Sequence, residues 1–213
     1  MPRLAILIAA IMGVAAVQPA LAQQQLPPAA AEMRKGYDRK AWGDWEPVEG
    51  CLTTRHAVLA ATSLVQPRLR NCKVVAGLWR DAWTGAEITD PKNTDIDHVV
   101  PVQEAHDSGG YRWETAVRHR FFNDLENLVV TGREINQRKG AYGPEAWLPE
   151  GETERCFFVR RWIYIKHKWQ LTADERELQA LQTVLQTCPV DQQVSRGGSP
   201  NPTAPITGSE LYR

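Results

Sequence analysis

Four cysteines constrain this chain more than any other feature, because cross-links decide which segments must lie together. Cys51, Cys72, Cys156 and Cys188 form an even set, and none belongs to a Cys-x-x-Cys pair that would suggest a zinc knuckle or a redox motif. What precedes them sets their chemistry. Met1 to Arg3 is a short positive start, Leu4 to Val17 an apolar run interrupted only by Gly13, and Ala20-Leu21-Ala22 a small-x-small cleavage pattern. Residues 1–22 are therefore expected to be a secretory signal peptide cut after Ala22, since the apolar run falls short of the roughly 20 residues a membrane helix needs. In an exported chain an even cysteine count predicts disulfides. Three pairings are possible; Cys51–Cys72 and Cys156–Cys188 are favoured because each joins neighbouring elements, and each would stabilise by about 3 kcal/mol.

Composition bounds the rest. With 43% apolar residues and eight tryptophans the chain can build a real core, while its formal net charge of zero gives no hint of a nucleic-acid partner. No later segment is long and apolar enough to span a bilayer, so a monomer without a membrane contact is expected after cleavage. Residues 23–36 read as a flexible leader, 37–188 as one domain, and 189–213, rich in Pro, Gly, Ser and Thr, as a disordered tail.

Local signals predict an α+β chain. A helix capped by Thr53 or Thr54 runs to Leu64, and Pro67 stops it. Strands are expected at 72–77, resuming at Leu78-Trp79, and at 96–100, where Pro101 ends pairing. Short helices over 103–106 and 113–122 precede a strand at 127–130. Thr131 with Glu134 has capping-box spacing for a helix over 134–139 that Gly140 terminates; Thr172 with Glu175 repeats it for a helix over 173–186, which follows one over 154–169.

One strand carries chemistry. Asp95-Ile96-Asp97-His98-Val99-Val100-Pro101 places polar groups on a strand otherwise built for burial. Asn127-Leu128 follows 29 residues after His98 (127 − 98), and Asn136, nine further on (136 − 127), precedes Arg138-Lys139-Gly140. Asp-x-Asp-His-hydrophobic-x-Pro, then Asn-Leu, then Asn-x-x-Lys-Gly resembles the signature of HNH (ββα-metal) endonucleases. It is similar to the HNH domains of CRISPR effector nucleases, to secreted bacterial HNH proteins and to the HNH part of GmrSD-type restriction enzymes. Gly77-Leu78-Trp79, Trp83-Thr84-Gly85, Phe122 to Leu128 and Trp147-Leu148-Pro149 extend the resemblance over roughly residues 40 to 170.

The resemblance implies a ββα-metal core with a short antiparallel hairpin, surrounded by further helices, and a metal-dependent endonuclease acting on DNA, with RNA as a second substrate class. It implies that His98 is the general base and that Asp97 and Asn136 are metal ligands. Asn127 orients His98 by pinning the loop between the strands. Asp95, on the same strand face as Asp97, is a supporting group or further ligand. Arg138 and Lys139 contact substrate phosphates. Oxygen-only ligands favour Mg²⁺, then Mn²⁺, over Zn²⁺. Eleven basic against eight acidic residues between 112 and 168 suggest a basic groove or, as plausibly, a solvated helix face. His56, His106, His119 and His167 read as structural or exposed, with His119 the nearest to a cleft role; Trp79, Trp83, Trp113 and Trp147 read as core or loop anchors. A non-catalytic exported module that binds nucleic acid or protein on the same scaffold is the alternative.

Overall fold

The computed structural model describes residues 25–48 and 50–189. The expected signal peptide and all of the expected tail but Pro189 lie outside them.

The chain is α+β. Helix α1 (Thr54–Thr62) leads into the hairpin β1 (Arg68–Arg70) and β2 (Lys73–Ala76), then a two-residue ribbon β3 (Trp79–Arg80) and β4 (Glu87–Ile88). Strand β5 (Thr94–His98) is followed by α2 (Val102–Asp107) and α3 (Thr115–Phe122), then β6 (Leu128–Gly132) and α4 (Arg133–Lys139). Helices α5 (Glu152–Lys168) and α6 (Glu175–Thr187) close the fold. β5 and β6 pair antiparallel from Thr94↔Gly132 to His98↔Leu128.

That ribbon positions the site because both its faces are covered. Ile96, Leu128 and Val130 pack with Val58, Leu59, Val74 and Trp79, whereas Val129 belongs to the larger core around Trp42, Trp83, Phe121, Phe158 and Trp162. Alternation along β5 then sends Asp95 and Asp97 to one face and His98 to the other.

The helices form where expected, but their caps differ. Thr131 is still a paired, buried strand residue, so its hydroxyl donates to Asp81 Oδ1 (3.0 Å), and α4 starts from Gly132 without a side-chain cap. Asp174, not Thr172, caps α6 by accepting from the Glu177 amide (2.8 Å); Thr172 donates to the Ser108 carbonyl. Thr53 holds the N-cap position of α1 without a side-chain cap bond.

Residues 25–36 also correct their reading as a flexible leader. The Ala30 amide donates to Ala173 O and the Ala173 amide to Pro28 O, both at 3.0 Å, and Met33 donates to Asp107 O at 2.8 Å. The backbone before α6 offers an open edge, and the leader satisfies it with Pro27 buried beneath.

Cross-links and one buried charge cluster hold the helices to the core. Cys51 is bonded to Cys72 and Cys156 to Cys188, with separations of 21 and 32 residues. Replacing both cysteines of either pair by serine is expected to lower unfolding free energy by about 3–4 kcal/mol, read as an earlier urea midpoint. Lys166, fully buried on α5, donates to Glu104 (2.6 Å), Glu177 (2.7 Å) and the Thr172 carbonyl (2.7 Å), tying α2 to α6. Burial pushes the Glu177 carboxyl up to about 7 against the pull of Lys166. The folded state thus binds this proton more tightly than the unfolded chain, and stability should fall as pH rises from about 4.5 towards 7. Urea midpoints at both ends of that window should differ less in Glu177→Gln.

Candidate functional site

His98 sits at the end of β5 where Val99 to Pro101 leave the ribbon. It is 9% exposed, stacked on Trp45 (5.8 Å between ring centres, 6° between planes) and tilted against Phe122. Its Nε2 lies 2.8 Å from the Phe122 carbonyl. A carbonyl can only accept, so Nε2 carries the hydrogen and Nδ1 keeps its lone pair. Nδ1 has no hydrogen bond among the described residues, nor is it one of their enclosed, unpartnered polar atoms. Burial lowers the imidazole pKa to about 3; the Phe122 bond opposes this, and the charges of Lys139 and Arg39 add to it. The ring is therefore a neutral base of fixed tautomer.

Asn127 holds the turn that carries this histidine. It is fully buried; its Oδ1 accepts the Val100 amide (2.9 Å) and its Nδ2 donates to the Val100 carbonyl (3.0 Å). Its own carbonyl accepts the Val99 amide (2.8 Å). Three bonds fix the two residues after His98 to the start of β6.

The opposite face of β5 carries the acids. Asp97, 7% exposed, receives Trp83 Nε1 on Oδ2 (2.9 Å) and Lys139 Nζ at 2.9 Å from Oδ2 and 3.1 Å from Oδ1. Burial pushes the Asp97 carboxyl up and the Lys139 ammonium down, while their mutual attraction resists both shifts. Lys139 also donates to the His98 carbonyl (2.8 Å) and has no exposed surface. A phosphate-contact role for Lys139 is thus corrected: it braces Asp97 and His98 from inside. Arg138 remains on the surface, 3.2 Å from Glu134.

Asn136, half-buried on α4, lies next to Asp95. Its Nδ2 donates to Asp95 Oδ2 (3.1 Å), and Arg133 Nε is 3.8 Å from Asp95 Oδ1. The bond spends the amide nitrogen and leaves Asn136 Oδ1 without a donor among the described residues. A free amide oxygen beside a carboxylate, with no thiolate or imidazole on that face, suits a hard divalent cation. Asp97 offers a less open oxygen, since its carboxylate already receives Lys139 and Trp83. Elsewhere among the described residues, the acids Glu32, Glu104 and Glu177 lie close together, but Lys166 already neutralises that cluster.

Two organising residues escaped the sequence reading. Asp81 receives the Trp83, Thr84 and Gly132 amides and the Thr131 hydroxyl, and so docks the 81–85 turn on β6. Its Asp-x-x-x-Gly context is a turn signal that points to this role. The Phe122 carbonyl, which sets the His98 tautomer, has no sequence signature at all. The other histidines bond backbone or surface groups: His56 accepts from the Val74 amide, His106 and His167 meet carbonyls, and His119 lies 3.7 Å from Glu46. Among the cations of 112–168, Lys166 is buried in its ion pairs, Lys168 holds Asp124 (2.7 Å) and Glu126, and Arg155 bonds backbone carbonyls.

Residues 61–184 match a family model described as the C-terminal domain of GmrSD restriction endonucleases. The chain is also 36% identical, over 155 residues, to an uncharacterized secreted protein of Arthroderma benhamiae, an alignment covering 72% of this chain and 76% of that relative. No solved structure matches.

Proposed function

The chain belongs to the family of the C-terminal domain of GmrSD restriction endonucleases, and from that premise we propose that it is a metal-dependent endonuclease of the HNH type, with β5, β6 and α4 as its ββα core. The observation that carries this reading is His98: a neutral imidazole locked in one tautomer, its other nitrogen unpaired among the described residues, at the end of the strand that also carries Asp95 and Asp97, with Asn136 of α4 beside Asp95.

Phosphodiester hydrolysis needs a base for water, a positive centre at the phosphate and relief of charge on the leaving oxygen. His98 Nδ1 takes the proton from the attacking water, while the Phe122 carbonyl stabilises the imidazolium that results. Asn127 keeps the His98–Val100 turn from drifting, and Lys139 fixes Asp97 and the His98 carbonyl together. Asn136, Asp97 and the adjacent Asp95 are the oxygen donors that would hold Mg²⁺ or Mn²⁺. When bound, such an ion would supply Lewis-acid stabilisation of the phosphate and the leaving oxygen. Arg138 remains a candidate for a substrate phosphate. The disulfides, the expected signal peptide and the secreted relative together support action outside the cytoplasm.

The test is degradation of plasmid DNA and of single-stranded RNA by the purified protein with a panel of divalent metals. Cleavage with Mg²⁺ or Mn²⁺ that EDTA stops is the expected result. Binding of nucleic acid without cleavage under any metal would favour the non-catalytic module instead.

A further inference from the structure

The chain balances 25 Lys and Arg against 25 Asp and Glu, yet it does not spread them evenly. From Cys51 to Arg80 there are five cations (Arg55, Arg68, Arg70, Lys73 and Arg80) and no Asp or Glu. Three of the five are exposed on the β1–β2 hairpin.

The hairpin brings these three together. Leu69 pairs with the buried Val74, and that side turns towards α1. Arg70 stands directly opposite Lys73, and Arg68 lies two residues along β1, beyond a shift in the pairing register. Like charges facing each other across a strand pair destabilise it. No ion pair relieves Arg68, Arg70 or Lys73 among the described residues, in contrast to the paired lysines of α5. The hairpin also exposes Val75 (37%). An anionic partner would offset the mutual repulsion of these cations.

The hairpin is also held ready. Its turn runs through Asn71 and Cys72, both at positive φ (50° and 60°), and the Cys51–Cys72 bond fastens that turn to the segment before α1. A cross-linked ribbon loses little freedom on binding. His56 Nδ1 accepts the Val74 amide and so ties the hairpin to α1. Arg55 lies within the influence of Asp95 and Arg133.

We propose that the disulfide-fastened β1–β2 hairpin is the substrate clamp of this protein, with Arg68, Arg70 and Lys73 neutralising backbone phosphates of duplex DNA. Residues two apart on a strand are separated by about 7 Å. Successive phosphates of one DNA strand, winding around the axis, lie a comparable distance apart through space, so Arg68 and Arg70 match neighbouring ones. A two-stranded ribbon fits the wide major groove of B-DNA, whereas the deep, narrow groove of A-form RNA does not admit it.

The inference rests on the nuclease reading, and the experiment separates the two. Binding of a fluorescein-labelled 20-base-pair DNA duplex is followed by anisotropy in EDTA across a salt series, for the full protein and for R68A/R70A/K73A. Each phosphate contact adds about 0.9 to the slope of log K against log salt, so the variant should lose between two and three units of slope and bind at least about tenfold more weakly at low salt. The charge-preserving R68K/R70K/K73R should retain the wild-type slope. An unchanged slope in the alanine variant, an equal loss in the charge-preserving one, or equal wild-type affinity for a 20-base-pair RNA duplex overturns the clamp while leaving the nuclease intact. Wild-type protein that neither binds nor cuts nucleic acid overturns both.

Discussion

His98→Ala is expected to reduce Mg²⁺- or Mn²⁺-dependent plasmid cleavage by about 10²–10⁴-fold, the range over which a positioned general base acts. The geometry makes the loss specific. Nε2 is committed to the Phe122 carbonyl, so Nδ1 is the one ring position able to accept a proton, and burial keeps the ring neutral down to a pH of about 3. His98→Asn keeps a buried polar side chain but has no ring nitrogen with that basicity, so it should be as inactive as alanine. Single-turnover cleavage rates at saturating metal, with circular dichroism to verify folding, are the measurement. Near wild-type rates in folded His98→Ala would remove this residue from the mechanism.

The second large effect concerns the pair that sequence reading had split into a ligand and a phosphate contact. Lys139→Met leaves the Asp97 carboxylate buried without its cation and should cost about 3–5 kcal/mol, as breaking one side of a buried ion pair does. Asp97→Leu alone should cost a similar amount, because the Lys139 ammonium then retains only the His98 carbonyl. The double variant should recover much of the loss in stability, since an apolar pair of comparable size needs no desolvated charges. It should not recover cleavage, because Asp97 is proposed to reach the metal. Urea denaturation of the three variants, together with their cleavage rates, gives the cycle. Costs that add in the double variant would mean the two residues do not act as a pair.

Much of this protein is written in short-range patterns. The α+β class and α4 after β6 follow from strand alternation, Pro101 and Gly140, while the antiparallel pairing of His98 with Leu128 was implied by the family resemblance. The Cys51–Cys72 and Cys156–Cys188 bonds join neighbours in sequence, so favouring near pairs found them. His98, Asn127 and Asn136 were visible as residue types at a set spacing; the fold places Asn127 on the turn after His98 and Asn136 beside Asp95.

What the sequence could not disclose were the contacts made across elements. Whether a lysine faces solvent or core depends on which side of a seven-residue helix packs down. Nothing local distinguishes Lys139, fully buried, from Arg138 beside it on the surface. The two capping boxes failed for a related reason: Thr131 and Thr172 had better partners in Asp81 and the Ser108 carbonyl, both distant in sequence. By itself the sequence determined the α+β class and where the helices form, because propensity, alternation and turn residues act over a few positions, but it did not disclose β1 or β4. The tertiary structure alone decided which nitrogen of His98 is free among the described residues, which cation holds Asp97, and that Arg70 and Lys73 face each other across one hairpin. The first two outcomes are set by burial and by partners dozens of residues away.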